Sequence, residues 1–136
     1  GQYIVEEVSR IPQSELSSGT NLGWPAFEGG RRTGKPRPLE HRLPDIWYNH
    51  DDGRCAVIGG LVYRGTEIPS LYGSYIYSDW CDGRIRLAAA QEDGSIATVQ
   101  TSLLVPQITG FFQGRDREVY VLGFEGGIYR LEVGLG

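Results

Sequence analysis

His50 lies between Tyr48 and the acidic pair Asp51-Asp52, and this cluster is the part of the sequence best equipped for chemistry. A histidine beside carboxylates is a candidate general base. With Asp51 or Asp52 it is also a candidate metal ligand. The alternative is a loop histidine that packs on Tyr48 and caps a turn. Asp51-Asp52-Gly53 lacks the alternating acidic spacing and distal Glu of a calcium loop, so a turn with a structural glycine is favoured. Further on, Asp79 and Asp82 flank Trp80. Asp79 ends an expected strand, where it would line a pocket. Asp82-Gly83 is hairpin chemistry. Trp24, Trp47, Trp80, Tyr48 and Tyr72 have faces on which a sugar could stack. Trp24 and Trp47 are expected instead to fill core between sheets. The sequence has no phosphate-binding glycine loop, Ser-His-Asp set or zinc motif.

The chain has two cysteines, Cys55 and Cys81. Metal binding would want more ligands at closer spacing. A reactive thiol would want a basic or helix-terminal setting. A disulfide between adjacent strands is therefore preferred to two buried thiols. Loop entropy would give it a stabilisation of roughly 3 kcal/mol, and it would imply an oxidising compartment.

A net charge of −4 disfavours nucleic acid or an anionic membrane as the main partner. Arg31, Arg32, Lys35 and Arg37 form a local basic cluster, read as a solvated loop in preference to an anion site. No apolar run approaches the ~18 residues that a spanning helix needs.

The elements that must position these groups are strands. Twenty Gly and seven Pro in 136 residues interrupt any helix. Residues 14–16 and 67–71 can form single helical turns. A first strand is expected over residues 3–10, followed by a long loop over 20–47. Residues 57–63, 74–79, 84–89 and 96–104 then read as consecutive antiparallel strands, the first two joined by a Pro- and Gly-punctuated turn and the others by turns at Asp82-Gly83 and Asp93-Gly94. Gly59-Gly60 marks a close backbone approach. Four such strands make one propeller blade, about 57–104. Residues 108–113, 118–123 and 127–133 give three more. The strand at 3–10 is available to complete this second blade, about 108–133. The fold class is thus all-β, with about two four-stranded blades forming a partial β-propeller domain over 1–136.

Several segments resemble the C-terminal part of the glucose/sorbosone dehydrogenase family. They are Gly1-Gln2 with Glu6-Glu7-Val8, and Asn21-Leu22-Gly23-Trp24-Pro25 with Glu28-Gly29. Tyr48, His50 and Gly53 follow, then Gly59-Gly60 through Tyr63-Arg64-Gly65. The series closes with Tyr75 through Gly83-Arg84-Ile85, Glu118-Val119-Tyr120-Val121-Leu122 and Gly127-Ile128-Tyr129-Arg130-Leu131. The family comprises six-bladed propellers. It includes quinoprotein aldose dehydrogenases and non-catalytic relatives such as Hedgehog-interacting protein.

The resemblance implies pyrroloquinoline quinone (PQQ) and Ca²⁺ as cofactors, with His50, Asp79, Gln107 and Thr109 as cofactor-facing candidates. The family's catalytic His and calcium loop lie upstream of the matched region. Gln107 and Thr109 stand where the enzymes carry two Arg, and His50 falls near a cofactor-contacting Lys. Gly114 and Arg117 replace an expected Asp and Gly. An Arg fork suits a carboxylate, and neutral substitutes do not. The resemblance therefore leaves the enzyme question open. The chain reads as the C-terminal part of such a propeller without a complete quinone site. The alternatives are a non-catalytic module binding carbohydrate or protein, and a functional PQQ/Ca-dependent fragment.

Two blades cannot close a ring. Self-association, with a trimer of two-blade chains as the first form, or the missing remainder of the propeller is expected as partner. The disulfide and the family together imply a secreted or periplasmic protein.

Overall fold

The computed structural model describes residues 2–134; Gly1, part of the first matched segment, lies outside the described residues. The chain divides into two compact units, Gly1–Asp52 and Gly53–Gly136.

In the first unit, β1 (Val5–Val8) is followed by one helical turn, α1 (Gln13–Leu16). A small hairpin comes next, β2 (Phe27–Glu28) with β3 (Arg31–Arg32), and then β4 (Ile46–Asn49). β1 pairs antiparallel with β4 in the register Val5↔Asn49 to Val8↔Ile46. The segment expected as a long loop, 20–47, thus contains a hairpin and runs into a strand. The strand is short and its partner is far upstream, so no local pattern announces it. The hairpin turns on Gly29, at φ +60, where an added Cβ would strike Val5 and crowd the Trp47 ring. Phe27 stacks on His41, with ring centroids 4.1 Å apart.

The Glu28 carboxylate ties the N-terminal segment to this hairpin. Its Oε1 accepts the backbone N–H groups of Gln2, Tyr3, Ile4 and Val5 at 2.6–3.4 Å. Burial alone would raise its pKa, but the four donors outweigh it and hold the group at about 2.

The second unit is two antiparallel sheets. β5 (Val57–Val62), β6 (Tyr75–Asp79), β7 (Arg84–Ala90) and β8 (Ile96–Leu104) form a four-stranded sheet in sequence order. This is the meander of a propeller blade. The β5–β6 register jumps between Ile58↔Ser78 and Leu61↔Ile76, leaving Gly59 and Gly60 in the irregularity. A side chain on Gly60 would collide with the Ile76 carbonyl, which is the close approach expected of that pair. Gly83 turns the chain at φ +63 against the Val105 carbonyl.

The second sheet has three strands, β9 (Ile108–Gln113), β10 (Val119–Gly123) and β11 (Ile128–Arg130), in the order β11-β10-β9. The strand expected to complete it, in residues 3–10, is laddered to β4 instead. The sheets share one core. Tyr63, Ile76 and Ile85 from the first pack with Ile108, Val119, Val121 and Leu131 from the second. Large apolar side chains stay exposed around β11, among them Phe124, Ile128, Tyr129 and Val133.

Candidate functional site

The β1–β4 ladder sets Glu6 opposite Tyr48, and His50 extends it by donating its N–H to the Ile4 carbonyl at 2.9 Å. This register carries the imidazole to Glu6, with Nε2 2.7 Å from Oε1. Glu6 is buried and His50 only partly so. The arrangement is a histidine oriented by a carboxylate, able to hold or pass a proton at its ring nitrogens. The sequence points to Asp51 and Asp52 as the neighbouring carboxylates, whereas the ladder brings in Glu6. Asp51 takes the Asn49 amide at 3.3 Å, and Asp52 is exposed in a turn at φ 50 before Gly53 at φ 81.

Asp79 has no exposed surface. The backbone N–H groups of Cys55, Ala56 and Cys81 donate to its carboxylate at 2.9–3.1 Å. Cys55 and Cys81 form a disulfide with Cα atoms 5.7 Å apart. Asp79 therefore organises the two segments that the disulfide joins, and its oxygens point into the fold. These three residues also form the one cluster of potential metal ligands found among the described residues, but both sulfurs are bonded to each other. Asp82 grips Arg86 in a nearly buried fork, with Gln100 also accepting from the guanidinium at 3.2 Å. Burial would raise the Asp82 pKa, but the Arg86 guanidinium and the Arg84 N–H hold it below its ordinary value.

Gln107 and Thr109 flank the start of β9 and are exposed. Gln107 adopts a left-handed φ of 49, and its carbonyl accepts the Phe124 N–H at 3.0 Å. The Thr109 hydroxyl donates to the Leu122 carbonyl at 3.1 Å. Neither offers a cation. A quinone carrying carboxylates needs guanidinium or ammonium partners there, so these two positions do not fit it. Gly114 and Arg117 close the β9–β10 turn, with the Arg117 N–H donating to the Gly114 carbonyl at 3.0 Å. A Cβ on Gly114 would meet Asp116 and Tyr120.

Trp24 and Trp47, the two aromatic residues expected to fill core, keep about half of their surface exposed, at 55% and 45%. Tyr72 is exposed beneath the Arg64 guanidinium, 5.2 Å from its ring centroid, and Trp80 meets Phe124 edge-on.

Two structural carboxylates escape sequence reasoning. Glu28 is one. Glu118 is the other: fully buried, it accepts the Tyr63 hydroxyl at 2.5 Å and the Thr66 and Glu67 N–H groups at 3.0 and 3.2 Å. The available signal was the pair of glutamates at strand-edge positions of family-like segments, which says nothing about burial.

No family model matches the chain. It is 30% identical over 92 residues to the HIPL2 protein of Arabidopsis thaliana, a match covering 58% of this chain and 12% of that protein. The chain thus spans about an eighth of the length of this curated relative. It superposes on a crystal structure of glucose dehydrogenase with a TM-score of 0.57 and 21% identity, covering 87% of this chain and 36% of that one. The fold is that of part of a glucose dehydrogenase-like β-propeller, as the sequence resemblance implies.

Proposed function

We propose that the chain is the C-terminal part of a glucose/sorbosone dehydrogenase-like propeller that lacks a complete quinone site of its own and works as a ring-completing segment. The observation that carries this is the three-stranded β9–β11 sheet, one strand short of a blade, with Ile128 and Tyr129 of its edge strand exposed. An unpaired edge beside exposed apolar side chains is a surface that folded proteins cover. The fourth strand comes from the remainder of the propeller or from a neighbouring copy. Three associated copies are the first form of the latter.

The polar groups support the same reading. Asp79, Asp82, Glu28 and Glu118 are engaged in holding backbone and partner side chains. Gln107 and Thr109 supply no charge where a quinone's carboxylates would need it. Among the candidates singled out from the sequence, His50, paired with Glu6, keeps a side chain suited to proton transfer. The disulfide supports a secreted or periplasmic setting. No helix among the described residues is long and apolar enough to cross a membrane.

The test is a titration of the chain with pyrroloquinoline quinone and Ca²⁺, followed by dye reduction with aldoses. Absence of saturable binding and of dye reduction is expected. Ca²⁺-dependent, saturable uptake with aldose-driven reduction would overturn the proposal.

A further inference from the structure

The hairpin of the first unit carries a cavity of about 520 Å³, a size that suits a small ligand. Trp24 and Tyr3 line it and are 55% and 70% exposed. Arg31, Arg32 and Lys35 line it too. These three cations are exposed and form no ion pair among the described residues. The sequence alone favours a solvated basic loop here. The structure adds a concave wall and two uncovered aromatic rings beside the charges.

The walls are held in place by the backbone. The Gly23 carbonyl accepts the Ala26 and Phe27 N–H groups at 2.9 and 3.0 Å, fixing the turn that carries Trp24. The Thr33 hydroxyl donates to the Pro25 carbonyl at 2.5 Å, and the Thr33 N–H to the Ala26 carbonyl at 3.0 Å. Trp24 and the arginines therefore sit on two arms of one clamped hairpin. Tyr3 is anchored through its N–H to Glu28 at 2.6 Å. Glu28 is the single carboxylate of the lining, and four backbone N–H groups converge on one of its oxygens. Rigid walls of this kind reduce the ordering cost of binding.

We infer that this cavity binds a short acidic oligosaccharide, with an apolar sugar face on Trp24 or Tyr3 and its acid group on Arg31 and Arg32. Aromatic faces take the C–H surfaces of sugars, and guanidinium forks take carboxylate or sulfate oxygens in pairs. Neutral sugars would leave the cations without a role. A long polyanion such as nucleic acid would run from this local positive patch onto a chain of net charge −4. The site stands whether or not the ring-completing role holds, because every lining residue lies within the first unit.

The test is calorimetry and tryptophan fluorescence on the full chain with four probes: trigalacturonate, a sulfated disaccharide, cellotriose and a short oligothymidylate. Saturable binding of trigalacturonate or of the sulfated sugar is expected, and which of them binds identifies the acid group. Cellotriose should bind at least about ten-fold more weakly, as should either acidic sugar at ~1 M salt. R31Q/R32Q and Trp24→Ala should each weaken binding by at least about ten-fold, with Trp24→Ala also losing the fluorescence change. Arg10→Gln, whose side chain pairs with Asp45 outside the cavity, should bind as wild type. Unchanged melting temperatures keep the variants interpretable, and R31K/R32K with intermediate affinity gives a second check on the fork. The proposal is overturned if neither acidic sugar binds, if cellotriose binds equally well, if oligothymidylate binds more tightly, or if R31Q/R32Q binds unchanged.

Discussion

The Tyr63 hydroxyl, at the end of β5, donates to Glu118 Oε2 just ahead of β10 at 2.5 Å, and neither side chain has exposed surface. The pair links the two sheets of the second unit through a polar contact inside an apolar core. The Tyr63 oxygen also accepts the Ile68 N–H at 2.9 Å, so the phenol sits in a closed network. Burial and the neighbouring carboxylate push the phenol's pKa up, while the Tyr63 hydrogen bond leads the effects that hold Glu118 below its ordinary value. The network fixes where the second sheet meets the first.

Tyr63→Phe should destabilise the chain by about 1–3 kcal/mol, because Glu118 and the Ile68 N–H each lose a partner in a buried site. Glu118→Ala should lower the melting temperature further than Tyr63→Phe, since three donors lose their acceptor at once. Thermal melts of the two variants check this. A Glu118→Ala protein as stable as wild type would remove the network from the account of the fold.

Gly60 and Gly65 are tied to this packing. A Cβ on Gly60 would meet the Ile76 carbonyl, and one on Gly65 would meet both the Glu118 carboxylate and the Tyr63 hydroxyl. Gly60→Ala and Gly65→Ala should each cost about 1–3 kcal/mol or more through overpacking. Gly110→Ala, with nothing nearby and ordinary backbone angles, should be neutral or slightly stabilising. Denaturant midpoints for the three variants give the comparison, and equal effects at Gly60 and Gly110 would contradict it.

Glu28 predicts a pH dependence of the first unit. Its pKa falls from an ordinary 4.5 to about 2 in the folded state, so the unfolded chain binds the proton more readily. The resulting stabilisation is fully present above about pH 4.5 and is lost as pH falls through about 2. Stability measured for wild type and Glu28→Gln should differ most at neutral pH and converge in that acid window. A difference constant down to the lower limit would contradict the assignment.

Reduction of Cys55–Cys81 should cost about 3 kcal/mol in the loop-entropy picture. Asp79→Asn should also destabilise, because the backbone donors of Cys55, Ala56 and Cys81 converge on that carboxylate. If Asp79 instead faced a ligand, Asp79→Asn would leave the melting temperature of the isolated chain unchanged.

Much of the second unit is written locally. Asp82-Gly83 and the turn at Asp93-Gly94 announce hairpins because turn chemistry needs only adjacent residues. Gly59-Gly60 marks a tight approach through its missing side chains, although the group that approaches, the Ile76 carbonyl, lies on the next strand. β4 is not legible, since Ile46–Asn49 gains its strand identity from pairing with β1, and nothing adjacent reports that pairing. The candidate site divides in the same way. His50 is visible by residue type, but its carboxylate, Glu6, comes from the register of a ladder that the sequence does not reveal. Asp79 stands at a strand end as expected, yet the direction of its carboxylate follows from where the disulfide places two backbone segments. Buried carboxylates such as Glu28 and Glu118 look like surface residues in a sequence, because their partners are backbone amides.

The ring-completing role is tested most directly by sedimentation velocity of the full chain across a concentration series, with an apolar dye as a parallel probe. Association that grows with concentration, or dye binding by the monomer, is the predicted result, and Ile128→Asp/Tyr129→Asp should abolish whichever is observed. A dye-silent monomer at every concentration, unchanged by those substitutions, would contradict it.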